Sequence, residues 1–213
     1  MAEYSTVLNL ELNPVRSKLC NLCGLYLNQF PVLDKSKNPN VFWVGLSAVQ
    51  FDEDQITRQP LASDTRSGAL IEAIENLLID KISFYKTNLV KCLPLKEGKI
   101  RYPLEHEMEK CFPNLEIELN FFQPDIVFLL GKQVATFVLK KKGITNITLS
   151  DEFKYSSILI NNITFIPIHH PSYIQVYKQS KKDLYIESIQ KMCMNILNIN
   201  HISYSIIDHL YSL

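Results

Sequence analysis

The sequence predicts an α/β protein built on a mostly parallel sheet with helices on both faces. Short apolar runs recur along the chain, wholly apolar at 41–45 and, after Asp125, over the rest of 125–131, and such runs suit strands buried on both sides. They alternate with longer segments of helical periodicity, the arrangement of a parallel sheet with crossover helices. Chemistry-bearing residues also follow the strands at their carboxyl ends: Gly45 onward, Asn88 to Cys92, and His169 to Ser172. In open parallel sheets the ligand sits at that edge.

Taken in order, residues 1–19 read as a weakly patterned N-terminal extension, and 41–45 (VFWVG) as the first strand. Residues 46–66 are polar, contain Pro60 and read as a long loop, a length that usually carries function. From Ser67 to about 80, apolar residues at 70, 71, 74, 77 and 78 have helical spacing, with Ser67 or Asp64 as N-cap. Residues 84–90 form a second strand, followed by Pro94 and a polar loop over 96–101. Periodicity predicts a helix over 104–122, in which Pro113 marks a kink or a fresh start. The clearest buried strand is 125–131 (DIVFLLG). A helix over 132–141 stops at Gly143. Strands over 157–160 and 164–168 flank Asn161 and Asn162, a two-residue hairpin turn. A closing helix covers 181–198, and 199–213 reads as a tail. The whole is expected to be a single domain spanning 1–213.

Composition excludes several classes. Of the 213 residues 46% are hydrophobic and 21% charged, so a full core forms and global disorder is ruled out. Lys+Arg and Asp+Glu balance at 22 each, which excludes a binder held by overall positive charge. Nucleic-acid contact must then come from local basic patches. No apolar run approaches the ~20 residues of a membrane span, and the N-terminus lacks the basic start of a signal peptide. A cytoplasmic location without membrane contact is expected, and nothing calls for more than a monomer. The five cysteines then favour a metal or cluster site over disulfides. Cys20 and Cys23 form C-x-x-C, while Cys92 and Cys111 are widely split, which points to a site assembled by the fold. Four thiolates suit zinc or an iron–sulfur cluster. Cys193 lies among apolar residues of the closing helix and reads as core.

Several segments together resemble the uracil-DNA glycosylase superfamily, in particular its iron–sulfur branches, families 4 and 5. The N-terminal C-x-x-C precedes a strand ending in Gly45. Residues 87–92 (TNLVKC) are similar to that family's T-N-x-V-K-C strand end, and 109–115 (EKCFPNL) to its next cysteine segment. Residues 124–131 (PDIVFLLG) are similar to its P-x-x-I-V-x-L-G strand, and His170, Pro171 and Ser172 to its H-P-S motif. The resemblance spans about residues 20–190. It implies a three-layer α/β/α fold with a central four-stranded, mostly parallel sheet. It also implies a structural 4Fe–4S cluster held by Cys20, Cys23, Cys92 and Cys111, with DNA as partner.

Glycosylases of this kind flip a base out of the duplex, stabilise its departure as an anion, and position water at the sugar. The resemblance assigns these tasks to three residue types. His170 donates to the base carbonyl, with His169 packing beside it, and Asn88 reads the base edge with its amide. The carboxylate is placed at Asp64, since 62–68 (ASDTRSG) is similar to the family-5 T-G-D-x-S-G with one extra residue. Asp52, Glu53 and Asp54 are fallback acids on the preceding loop. Leu46 stands where family 4 has its catalytic Glu, and Leu61 where an aromatic follows Pro. Leu46, Ser47, Leu61, Asn88 and His170 are therefore the base contacts. DNA contacts are expected at Ser172, Tyr173, Arg66 and Lys91, with Arg58, Arg101 and the basic run 140–142 as further candidates. Tyr173 or Ile174 is the candidate wedge.

The leading expectation is a monofunctional glycosylase acting on uracil or another modified base. The two leucines open alternatives: a defence-type glycosylase for hypermodified viral bases, or a non-catalytic DNA-binding homologue.

Overall fold

The computed structural model describes residues 20–35, 38–51, 59–78 and 82–197. The expected extension and tail, and the acids at 52–54, lie outside the described residues.

Strand β1 (Val41–Ser47) is buried over its first five residues because helices cover both of its faces. The pleat divides it: Phe42 and Val44 enter one core cluster, Val41 and Trp43 the other. Helix α1 (Arg66–Asn76) buries Leu70, Ile71 and Ile74, as the spacing predicts. Its N-cap is Thr65 and neither Ser67 nor Asp64: the Thr65 Oγ1 accepts the Gly68 amide at 3.0 Å. Strand β2 (Phe84–Val90) runs parallel to β1, with Gly45 opposite Asn88.

The segment expected as a loop over 96–101 is a small antiparallel hairpin, β3 (Leu95–Lys96) and β4 (Lys99–Ile100). Helix α2 (Glu105–Phe122) passes through Pro113 without restarting. Cys111, Phe112, Leu115 and Leu119 bury on either side of it. At roughly 1.5–3 kcal/mol per buried large side chain, they outweigh the ~3 kcal/mol cost of an internal proline. Strand β5 (Ile126–Leu130) pairs parallel with β1. Helix α3 (Lys132–Lys141) ends before Gly143, as expected. At its end Lys140, Lys141 and Lys142 pair with Glu105, Glu109 and Glu116 of α2, the Lys140 pair at 3.9 Å and largely exposed.

Strands β6 (Ile158–Ile160) and β7 (Ile163–Ile168) are antiparallel. Asn161 and Asn162 have φ of 50° and 65°, the two left-handed residues of a type I′ turn. The sheet order is β2-β1-β5-β7-β6. The four expected strands are present and parallel. The sheet nevertheless has five, because the first arm of the hairpin adds as an antiparallel edge strand.

Helix α4 (Pro171–Tyr177) is an addition to the expected elements, and α5 (Lys182–Ile196) closes the fold. Proline at N1 with a capping residue before it is a helix start, and His170 is that cap. Helices α2 and α3 pack on one face of the sheet, and α1, α4 and α5 on the other. Cys193 is fully buried in the second cluster, as expected of core. No described helix is long and apolar enough to cross a membrane.

Candidate active site

A cavity of about 220 Å³ opens where β1 and β2 end, beside the β7–α4 junction. One water needs only ~10–15 Å³, so there is room for a whole base. The five residues expected to touch a base, Leu46, Ser47, Leu61, Asn88 and His170, all line it. Phe51, Gln59 and Thr65 line it as well and were not singled out by sequence. They come from a segment without periodicity and from a helix cap, where no pattern marks a wall.

Asn88 is 2% exposed, and its Oδ1 has no hydrogen-bond partner among the described residues. A buried acceptor without a donor costs about 1–3 kcal/mol, so it calls for an explanation, and a ligand N–H in the cavity supplies one. The amide has space because residue 45 is glycine: a Cβ there would lie 2.3 Å from Asn88 Oδ1.

His170 is held at its other end. The Ser172 backbone N–H donates to His170 Nδ1 at 3.3 Å, and Ser172 Oγ lies 2.7 Å from the same nitrogen. A backbone N–H is only a donor, so Nδ1 is the unprotonated nitrogen and Nε2 carries the hydrogen. Burial holds the ring's pKa below its ordinary 6.5. The cavity is thus lined by a histidine that carries its N–H on Nε2 and, at Asn88, by an amide whose oxygen has no partner among the described residues. His169 packs behind. Its backbone N–H donates to Tyr155 Oη at 3.4 Å, leaving that hydroxyl proton for His169 Nδ1 at 2.9 Å. Tyr185 Oη donates to the His169 carbonyl.

The remaining candidates divide. Arg66 is exposed and lines the cavity. Asp64 is exposed, one residue before the Thr65 cap, and is not among the lining residues. Among the described residues no carboxylate lines the cavity. Lys91 is not a DNA contact: it is 1% exposed and its ammonium is bound to Glu118 at 2.6 Å. Ser172 is committed to His170. Tyr173 is half-buried and stacks on His169 at 5.4 Å, and Ile174 is fully buried. Neither is a free wedge, because both belong to the first turn of α4.

Cys20, Cys23, Cys92 and Cys111 line a second, small pocket with Leu22, Pro31 and Asn114. The Lys91 amide donates to Cys111 Sγ at 3.4 Å, and Asn114 Nδ2 at 3.7 Å. Burial pushes the Cys92 thiol up to about 12, and the neighbouring Cys111, Cys23 and Cys20 add like-charge repulsion. A metal centre removes that penalty by taking the thiolates as ligands. Among the described residues no three such side chains are gathered around one metal ion. Four cysteines lining one pocket, with N–H···S donors to Cys111, are the kind of donor set that an iron–sulfur cluster takes.

Fold and site define a doubly covered α/β protein with a base-sized pocket at the carboxyl edge of its sheet. The sequence model of the Uracil DNA glycosylase superfamily matches residues 31–192, and the chain belongs to that superfamily. Similar proteins include the Type-4 uracil-DNA glycosylase of Thermotoga maritima, 26% identical over 186 residues, covering 85% of this chain and 92% of that protein. The Type-4 uracil-DNA glycosylase of Saccharolobus solfataricus is 25% identical over 172 residues, covering 77% of this chain and 76% of that protein. Among solved structures, that of Pedobacter heparinus SMUG2 superposes with a TM-score of 0.52 at 16% identity, covering 75% of this chain and 76% of that one. This last likeness speaks to the fold alone.

Proposed function

We propose that the protein hydrolyses the N-glycosidic bond of a uracil flipped out of DNA, leaving an abasic site. The observation that carries this reading is the pairing, in one base-sized cavity, of a neutral His170 N–H with the unpartnered Asn88 acceptor. An imide edge presents carbonyl oxygens and an N–H. Asn88 Oδ1 takes the N–H, and His170 Nε2–H donates to a carbonyl. As the bond to the sugar breaks, electrons pass to the base and negative charge grows on that oxygen, so the His170 bond strengthens in the transition state. Water adds to the sugar carbon, and its proton leaves with the base. Asp64 is proposed as the carboxylate that orients this water, and Arg66 as a contact to the DNA backbone. Cys20, Cys23, Cys92 and Cys111 would hold a 4Fe–4S cluster, which supplies a rigid cross-link between distant segments.

The test is alkali-revealed strand cleavage of a uracil-containing oligonucleotide by anaerobically purified protein. Cleavage is expected in the wild type. Asp64→Asn is expected to lower kcat by about 10²-fold or more, the scale of a positioned general base. Full activity in that variant removes Asp64 from the mechanism. No cleavage by folded, brown protein overturns uracil as the base. Leu46 and Leu61 on the cavity wall favour, as the second reading, a base with an apolar or bulkier substituent, tested on modified viral DNA. Base binding without turnover on any DNA would make the protein a non-catalytic homologue.

A further inference from the structure

Burying an ammonium costs several kcal/mol unless its donors are all used. Lys91 uses all three: Glu118 Oε2 at 2.6 Å, Thr87 Oγ1 at 2.6 Å and the Asn88 carbonyl at 2.8 Å. Glu118 is fully buried, and its other oxygen accepts Tyr85 Oη at 2.9 Å and Thr87 Oγ1 at 3.2 Å. The Lys91 side chain thus folds back over the end of its own strand. Its backbone amide meanwhile donates to Cys111 Sγ, and Cys92 is the next residue. The short segment 88–92 has the base-cavity amide at one end and a pocket thiol at the other, and Lys91 fastens both.

We propose that Lys91, with Glu118, is a positioning pair that sets the Asn88 amide for base reading and ties it to the four-cysteine pocket. The Asn88 Oδ1 has no partner among the described residues, and a glycine lies opposite it. The amide's aim is therefore inherited from the backbone of Asn88, and the carbonyl of that residue is what the ammonium grips. This inference rests on the glycosylase reading.

The test variant is Lys91→Met with Glu118→Gln. It leaves no unpaired charge in the core, and glutamine keeps an acceptor for Tyr85 and Thr87, so the fold is retained. Thermal unfolding and visible absorbance report fold and cluster. Binding is read with duplexes carrying one 2′-fluoro-deoxyuridine, which resists hydrolysis, against plain duplexes. The double variant should keep its absorbance, bind the analogue about tenfold more weakly, the weight of one charge-assisted hydrogen bond, and bind plain DNA as the wild type does. Adding Asn88→Ala should cause little further loss, since both changes remove the same interaction.

Wild-type binding of the analogue by the double variant overturns the proposal, and so does an equal loss on analogue and plain DNA. Losses that multiply with Asn88→Ala overturn it as well. If the wild type neither prefers the analogue nor releases uracil, the glycosylase reading fails and takes the proposal with it. If the wild type does both and the double variant matches it, only the proposal fails.

Discussion

His170 carries its proton on Nε2 because Ser172 offers a backbone N–H to Nδ1, and burial then keeps the ring neutral. Its folded pKa lies below the unfolded value. The neutral ring is therefore complete above pH 6.5 and is lost only as pH falls through the depressed folded pKa. A pH profile of kcat/KM should have its acid limb below 6.5, and His170→Ala should abolish that limb while lowering kcat/KM by roughly 10²–10³-fold. Persistence of the limb in that variant would assign it to another group. Gly45 allows a second prediction. A Cβ there would meet Asn88 Oδ1 at 2.3 Å, so Gly45→Ala should turn the amide and raise KM about tenfold or more, read by steady-state kinetics, with circular dichroism confirming the fold. Much of the cavity wall was legible in sequence, because residues at converging strand ends meet whatever the loops do. Lys91 was not: its partner Glu118 sits on α2, and nothing local tells a buried lysine from an exposed one.

The start of α1 shows how an element is fixed by contacts its periodicity does not contain. Thr65 Oγ1 donates to the Ala62 carbonyl at 2.8 Å and accepts the Gly68 amide. It thereby ties the cavity-lining turn at Leu61 to the helix. Leu61 itself has φ of 52°, a conformation that costs a non-glycine residue of order 1 kcal/mol and needs such a tie. Thr65→Ala should lose about 1 kcal/mol of stability. Gly68→Ala should lose more, since its Cβ would fall 1.9 Å from the Ala62 carbonyl oxygen, a backbone atom that has to move. Urea unfolding of both variants checks the order, and a milder effect at Gly68 would mean the turn is free to shift. Strand β2 and helix α3 follow their patterns over their whole lengths. Helix α4 was hidden because seven residues give little periodicity, and its signal is instead the cap-and-proline pair His170 and Pro171.

At the scale of the molecule, the four-cysteine pocket joins segments that the sheet alone leaves apart. Cys20 and Cys23 precede β1, Cys92 follows β2, and Cys111 lies inside α2. Their spacing was visible in sequence, but their convergence on one pocket depends on how the strands and α2 pack, which no local pattern shows. Neighbouring thiols in this pocket repel once ionised, so without a cluster this corner is held by packing and a few hydrogen bonds. Iron removal should therefore lower the unfolding temperature by roughly 5–10 °C, corresponding to a few kcal/mol in a chain of this size. Cys92→Ser and Cys111→Ser should bleach the visible absorbance and show the same shift. Cys193→Ala, on the opposite face of the sheet, should keep the colour and lose only the ordinary stability of a trimmed core side chain. If the thiols were plain core, all three variants would lose stability alike and none would change colour. Because segment 88–92 is shared, the cluster-free protein should also bind uracil-analogue DNA more weakly while binding plain duplex unchanged. That combination separates a cluster that organises the base cavity from one that only thickens the core.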